Sequence, residues 1–143
     1  MNSCVFCDPE VREKEAFYED ETNIALVNIK PAVEGHILLM PKRHVESFIE
    51  LTEKEAADMF SSVEKIYSIL KKAYNAAAFN LVIQDGPEAG QSISHLHMHI
   101  CPRVKGDVES KKFYRLVFIE AEKREPISDQ KIEEAVEKLK SFL

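Results

Sequence analysis

Apolar residues fall into a few short blocks separated by turn chemistry, and this spacing sets the element reading. Ile24–Ile29 (IALVNI) and Gly35–Met40 (GHILLM) are two such blocks, joined by Lys30-Pro31-Ala32-Val33-Glu34, and read as two strands with a turn between them. The period then changes. Thr52 and Glu55 make a capping box, after which Ala56, Met59, Phe60, Val63, Ile66, Tyr67, Leu70 and Tyr74 recur at helical spacing. That pattern predicts one long amphipathic helix with a buried stripe.

Phe79–Gln84 (FNLVIQ) reads as a further strand, and Asp85–Ser94 (DGPEAGQSIS) as a Gly/Pro-rich loop. His95–Cys101 and Tyr114–Glu120 (YRLVFIE) are expected to be the remaining strands. Ser128 caps a last helix carrying Ile132, Ala135, Val136, Leu139 and Leu143. Short connections between several strands, with few helices, predict an α+β fold: an antiparallel sheet with helices segregated from it.

The 143 residues fit a single domain, 1–143, large enough to bury a core without staples. No apolar run is long enough to span a bilayer and the N-terminus has no signal pattern, so a cytoplasmic, membrane-free protein is expected. The net charge of -6 argues against a nucleic-acid partner. A nucleotide in a locally positive pocket remains compatible with it. Three cysteines, with Cys4 and Cys7 spaced Cys-x-x-Cys, suggest metal or redox chemistry rather than a disulfide framework, and favour a reducing compartment.

The densest chemistry lies in His95-Leu96-His97-Met98-His99-Ile100-Cys101-Pro102-Arg103. In a strand, alternate side chains share a face, so the three histidines project together while Leu96, Met98 and Ile100 face a core. Imidazole near neutrality serves as nucleophile, acid, base or metal ligand. Spacing alone leaves open an exposed strand face that merely carries histidines, or a metal site on the strand. Cys101 falls on the histidine face by alternation and reads as a packing residue.

This order, with Gln84-Asp85-Gly86-Pro87-Glu88-Ala89-Gly90-Gln91 before it, resembles the histidine triad (HIT) family, and its fragile histidine triad branch in particular. Ala25-Leu26-Val27-Asn28-Ile29-Lys30-Pro31, Gly35-His36 and Pro41-Lys42-Arg43-His44 extend the likeness, which fades beyond Asp107. The resemblance implies the HIT fold, with about five antiparallel strands, one long helix and a C-terminal helix.

It also implies a homodimeric hydrolase that cleaves diadenosine polyphosphates, or related nucleotide conjugates, at the α-phosphate through a covalent nucleotidyl-histidine. His97 then matches the nucleophile, His99 a donor to phosphate oxygen, and His36 a separate pocket histidine. Asn28 matches the ribose-binding position, and Gln84, Gly90, Gln91 and Ser92 the phosphate-binding loop. Attack by His97 through one nitrogen requires the other to donate its proton, most simply to a main-chain carbonyl.

Other outcomes stay open at this level: a phosphoramidate hydrolase, a transferase or phosphorylase that passes the nucleotide to phosphate, or a nucleotide-binding sensor with little turnover. In zinc-containing branches of the family, the resemblance completes the Cys4/Cys7 pair with His44 and His95 as a structural zinc site. A redox pair or two buried thiols are the rival readings of Cys-x-x-Cys. The cysteines and His44 depart from the fragile histidine triad pattern.

Overall fold

The computed structural model describes residues 3–143. Five strands form one antiparallel sheet in the order β1-β2-β3-β5-β4: β1 (Ala16–Glu19), β2 (Asn23–Val27), β3 (Ile37–Pro41), β4 (Ala78–Ile83) and β5 (Met98–Arg103). Helix α1 (Pro9–Glu15) precedes β1, α2 (Glu53–Tyr74) joins β3 to β4, α3 (Ser110–Tyr114) follows β5, and α4 (Asp129–Lys140) comes last.

The sheet is buried on both faces at its centre, which explains why β2 and β3 read as continuous apolar runs rather than alternating ones. Ala25, Val27, Ile37, Leu39, Met98 and Ile100 face α2 and α4, meeting Met59, Val63, Ile66, Leu70, Ile132, Val136 and Leu139. On the opposite face Ile24, Leu26, Leu38 and Met40 pack with Phe6 from the N-terminal turn. A second patch there joins Cys101 to Ala32, Val33, Phe113 and Val117. The Thr52/Glu55 capping box opens α2, and the Ser128 hydroxyl accepts from the Lys131 N–H to open α4.

Several expectations shift. The fifth strand is β1, whose four residues are too short to stand out in the sequence, and Tyr114–Glu120 is helical instead, continuing α3 through a π turn over Arg115–Ile119. Its β-branched and aromatic composition suggested a strand. However, Phe113 and Val117 sit four apart and both insert into the patch around Cys101, and anchoring at that spacing requires helix. The histidine strand also begins later than expected, at Met98, and runs to Arg103. His95 and His97 lie on an extended lead-in, where the Leu96 N–H donates to Val45 O at 2.8 Å. On α2 the buried stripe excludes Phe60, which is 65% exposed, and includes Ser62, whose hydroxyl donates to Asp20 and accepts from Asn23.

Candidate active site and metal cluster

Register sets the site. β5 lies between β3 and β4, with His99 opposite both Leu38 and Val82, so the histidine sits at the middle of the sheet. His97 and His99 open onto a cavity of about 570 Å³. Its walls include Phe6, Val11 and Leu38, then Gln84, Gly90 and Ser92, with the 117–124 segment as a cover.

A chain of hydrogen bonds begun by the backbone fixes the tautomers of two histidines, and a separate carbonyl fixes a third. The Ala32 N–H donates to His36 Nδ1 at 3.0 Å, which makes that nitrogen an acceptor. A neutral His36 therefore carries its proton on Nε2 and donates it to His99 Nδ1 at 2.9 Å. His99 in turn holds its own proton on Nε2. His97 Nδ1 lies 2.7 Å from the main-chain oxygen of His95, so Nδ1–H donates there and Nε2 keeps its lone pair. Burial first, then neighbouring charge, holds His36 well below the usual histidine range and pulls His99 down to about 3. Burial also lowers His97, although its bond to the His95 carbonyl acts in the opposite sense. All three rings are neutral near pH 7.

Asn28 Nδ2 lies 3.2 Å from His36 Nε2, a contact between two donors and not a hydrogen bond, and its Oδ1 accepts from the Lys30 N–H, the turn chemistry expected of an Asn at a strand end. It lines the cavity with Gln84, Gly90 and Ser92. Gln91 does not. Its Oε1 accepts from Gly86 N–H and its Nε2 donates to Glu46 O and Ile93 O, so this side chain ties the loop together. Gly90 has φ +97°, and a Cβ there would come within 2.5 Å of Gln84 Nε2. Cys101 shares the histidine face but lies under Phe113 and Val117, where burial pushes its thiol up to about 12 and leaves it inert.

The cluster at the N-terminus is separate. Candidate ligand atoms of Cys4, Cys7, His44 and His95 all lie within 4.8 Å of one another. His95 Nδ1 is 3.4 Å from Cys4 Sγ and 3.5 Å from Cys7 Sγ, and His44 Nδ1 is 3.4 Å from Cys7 Sγ. Tetrahedral zinc at ordinary bond lengths would hold sulfur and nitrogen about 3.6 Å apart, so the donors fit. The outer nitrogens fit as well. His95 Nε2 donates to Pro41 O at 2.8 Å, leaving Nδ1 free to ligate, and His44 Nε2 faces Glu46 at 3.7 Å.

This cluster divides the three histidines, since His95 turns to the cysteines while His97 and His99 turn to the cavity. Residues 10–106 match the HIT domain. The chain belongs to the histidine triad family. Among relatives, it is 38% identical over 131 residues to a bis(5′-adenosyl)-triphosphatase of Dictyostelium discoideum, covering 91% of this chain and 86% of that one. It is 41% identical over 111 residues to an asymmetrical bis(5′-nucleosyl)-tetraphosphatase of Schizosaccharomyces pombe, covering 78% of this chain and 59% of that one. This chain therefore spans less than two thirds of the fission yeast relative's length. A zinc-bound histidine triad protein of Mycobacterium smegmatis superposes with a TM-score of 0.72 at 26% identity, covering 97% of this chain and 91% of that one.

Three features of the cavity carried no sequence signal. Phe6 places its ring edge-on to His97, at 5.1 Å between centroids. Glu15 is buried at the end of α1, and desolvation raises its carboxyl to about 6. Arg124 comes from the segment where the resemblance fades. Only tertiary packing brings these residues to the triad.

Proposed function

We propose that this chain hydrolyses diadenosine polyphosphates through a covalent nucleotidyl-His97. One observation carries the reading: His97 Nδ1–H is committed to the His95 carbonyl, so the free Nε2 is a neutral nucleophile beside a cavity that His99 also lines. The Nε2 lone pair attacks the α-phosphorus as the bond to the bridging oxygen breaks, and the other nucleotide departs with that electron pair as a phosphate anion. Water then attacks the same phosphorus and gives up a proton to solvent, the N–P bond breaks with its electron pair returning to His97 Nε2, and AMP leaves. His99 Nε2–H donates to the oxygens on which charge develops, held in its tautomer by His36. Gln84, Gly90 and Ser92 face the phosphates, Asn28 the ribose, and Gln91 shapes their loop. Phe6, Val11 and Leu38 give a flat base an apolar slot. The named activities of the two relatives support the same substrate class.

Cys4, Cys7, His44 and His95 would hold a structural zinc that pins the N-terminal turn, with four protein ligands leaving no position for water or substrate. β4 is an edge strand with Ala78, Asn80 and Leu81 exposed, which supports a homodimer that continues the sheet across two copies. The unbridged cysteines support a reducing compartment such as the cytoplasm. No described helix is long and apolar enough to cross a membrane.

Incubation with diadenosine triphosphate, diadenosine tetraphosphate and adenosine 5′-phosphoramidate, with and without inorganic phosphate, tests the reading. The expected product of the dinucleotides is AMP plus ADP or ATP, and an α-phosphorus label appears transiently on His97 as an acid-labile, base-stable adduct. Turnover of the phosphoramidate alone would replace the substrate. Release of ADP in place of AMP when phosphate is added would make the chain a phosphorylase. Binding without turnover would make it a sensor.

A further inference from the structure

Arg124 lies outside residues 10–106, which match the HIT domain, yet it lines the same cavity as His97 and His99. Its placement is built. Arg103 donates to Asp107 and to Val108 O and stacks over Phe113, which fixes the start of the cover segment. Phe113 and Val117 anchor its middle, and the Ile127 N–H donates to Ile29 O beyond its end. Between these ties the guanidinium is left short of partners. Nε donates to Ala121 O at 3.3 Å, while Nη1 is buried with no hydrogen-bond partner among the described residues. Among the described residues no carboxylate forms an ion pair with it.

A buried cationic donor without a partner is costly, and a cavity next to it is where the missing acceptor can enter. Glu15 and Glu122 line the same cavity, but among the described residues neither is bonded to Arg124. An anion that enters to meet His97 therefore encounters one unneutralised guanidinium in a protein whose net charge is -6.

We propose that Arg124 binds the phosphate next to the reacting one, so that the cover segment selects nucleoside oligophosphates over conjugates whose leaving group carries no phosphate. The inference rests on the nucleotide reading of the cavity. The planar fork matches two oxygens of one phosphate, which a lysine cannot do.

The test uses zinc-loaded wild type, Arg124→Gln and Arg124→Lys. Calorimetry compares the affinities for AMP, which has no second phosphate, and for adenosine 5′-(α,β-methylene)diphosphate, which has one that cannot be hydrolysed. Wild type should prefer the diphosphate, and Arg124→Gln should reduce the ratio of the two affinities by about tenfold or more. Arg124→Lys should keep part of that preference. A structural role would weaken both ligands together and leave the ratio alone.

In turnover, the kcat/KM for diadenosine triphosphate relative to that for the p-nitrophenyl ester of AMP should fall in the same order. An unchanged binding ratio in both variants, or a wild type with no preference for the diphosphate, would overturn the inference. These binding arms need no catalysis. A wild type that shows the Arg124-dependent preference but cleaves no dinucleotide would sink the hydrolase reading and keep the guanidinium's role. Cleavage with an unchanged ratio would do the reverse.

Discussion

Acid should unfold this protein earlier in the pH scale than its carboxylates alone would dictate, and His99 shows why. Burial lowers its pKa from 6.5 to about 3 in the folded chain. The unfolded chain therefore takes up a proton below pH 6.5 that the folded chain refuses. The stability linked to this ring is fully present above pH 6.5 and falls as pH drops, until the folded ring also titrates near pH 3. At pH 5 the loss is about 2 kcal/mol, from roughly 1.5 pH units at 1.36 kcal/mol each.

That magnitude depends on the unfolded value, so it is the same whether the folded pKa lies at 3 or a unit away. His36 shifts in the same direction for the same reason. Glu15, raised to about 6, works the other way, because the folded chain protonates it before the unfolded chain does. A comparison with His99→Asn removes these shared contributions, since Asn can still accept from His36 Nε2–H. Urea unfolding at pH 7.5, 6 and 5 should show wild type losing about 2 kcal/mol more than His99→Asn. Parallel curves for the two proteins would refute the claim that His99 is held neutral by burial.

Cys7→Ser should lower the melting temperature by about 10 °C while reducing activity in the cold far less, because the ion would tie separate segments together and would leave no open position for substrate. Elemental analysis alongside should find about one zinc per wild-type chain, and a metal-free protein of equal stability would remove the site. Gly90→Ala should cost about tenfold in kcat/KM, since its Cβ would displace the Gln84 amide from the cavity wall, and roughly 1–2 kcal/mol in unfolding free energy, since φ +97° is strained for a residue with a Cβ. Gly35→Ala should destabilise the fold by about 2 to 4 kcal/mol, because at φ +85° its Cβ would meet Pro102 at 2.7 Å and Tyr74 at 2.8 Å; equilibrium unfolding measures it.

Patterns that depend on near neighbours along the chain were legible in the sequence. The capping box of α2, the Ser128 cap of α4, the β2 and β3 strands and the Gly-rich loop all follow from residues within one or two turns of each other. Alternation likewise put His97 and His99 on the face away from Met98 and Ile100, and the motif order carried the family. Where the reading failed, a distant contact had outweighed a local preference. Tyr114–Glu120 became helical because Phe113 and Val117 reach one patch beside Cys101. His95, by contrast, stands where the resemblance implied, with its Nδ1 meeting Cys4 and Cys7 from some ninety residues earlier.

The sequence by itself determined which groups could attack, donate or ligate, since those are properties of side chains and short spacings. The tertiary structure decided their states. Which nitrogen of His97 is free depends on a carbonyl 2.7 Å away, and which nitrogen of His99 holds its proton depends on an Ala32 N–H acting through His36. Whether Arg124 meets solvent or the cavity depends on ties at Asp107, Val117 and Ile127. Proton position and desolvation are set by atoms within a few ångströms in space, and only the folded chain defines which atoms those are.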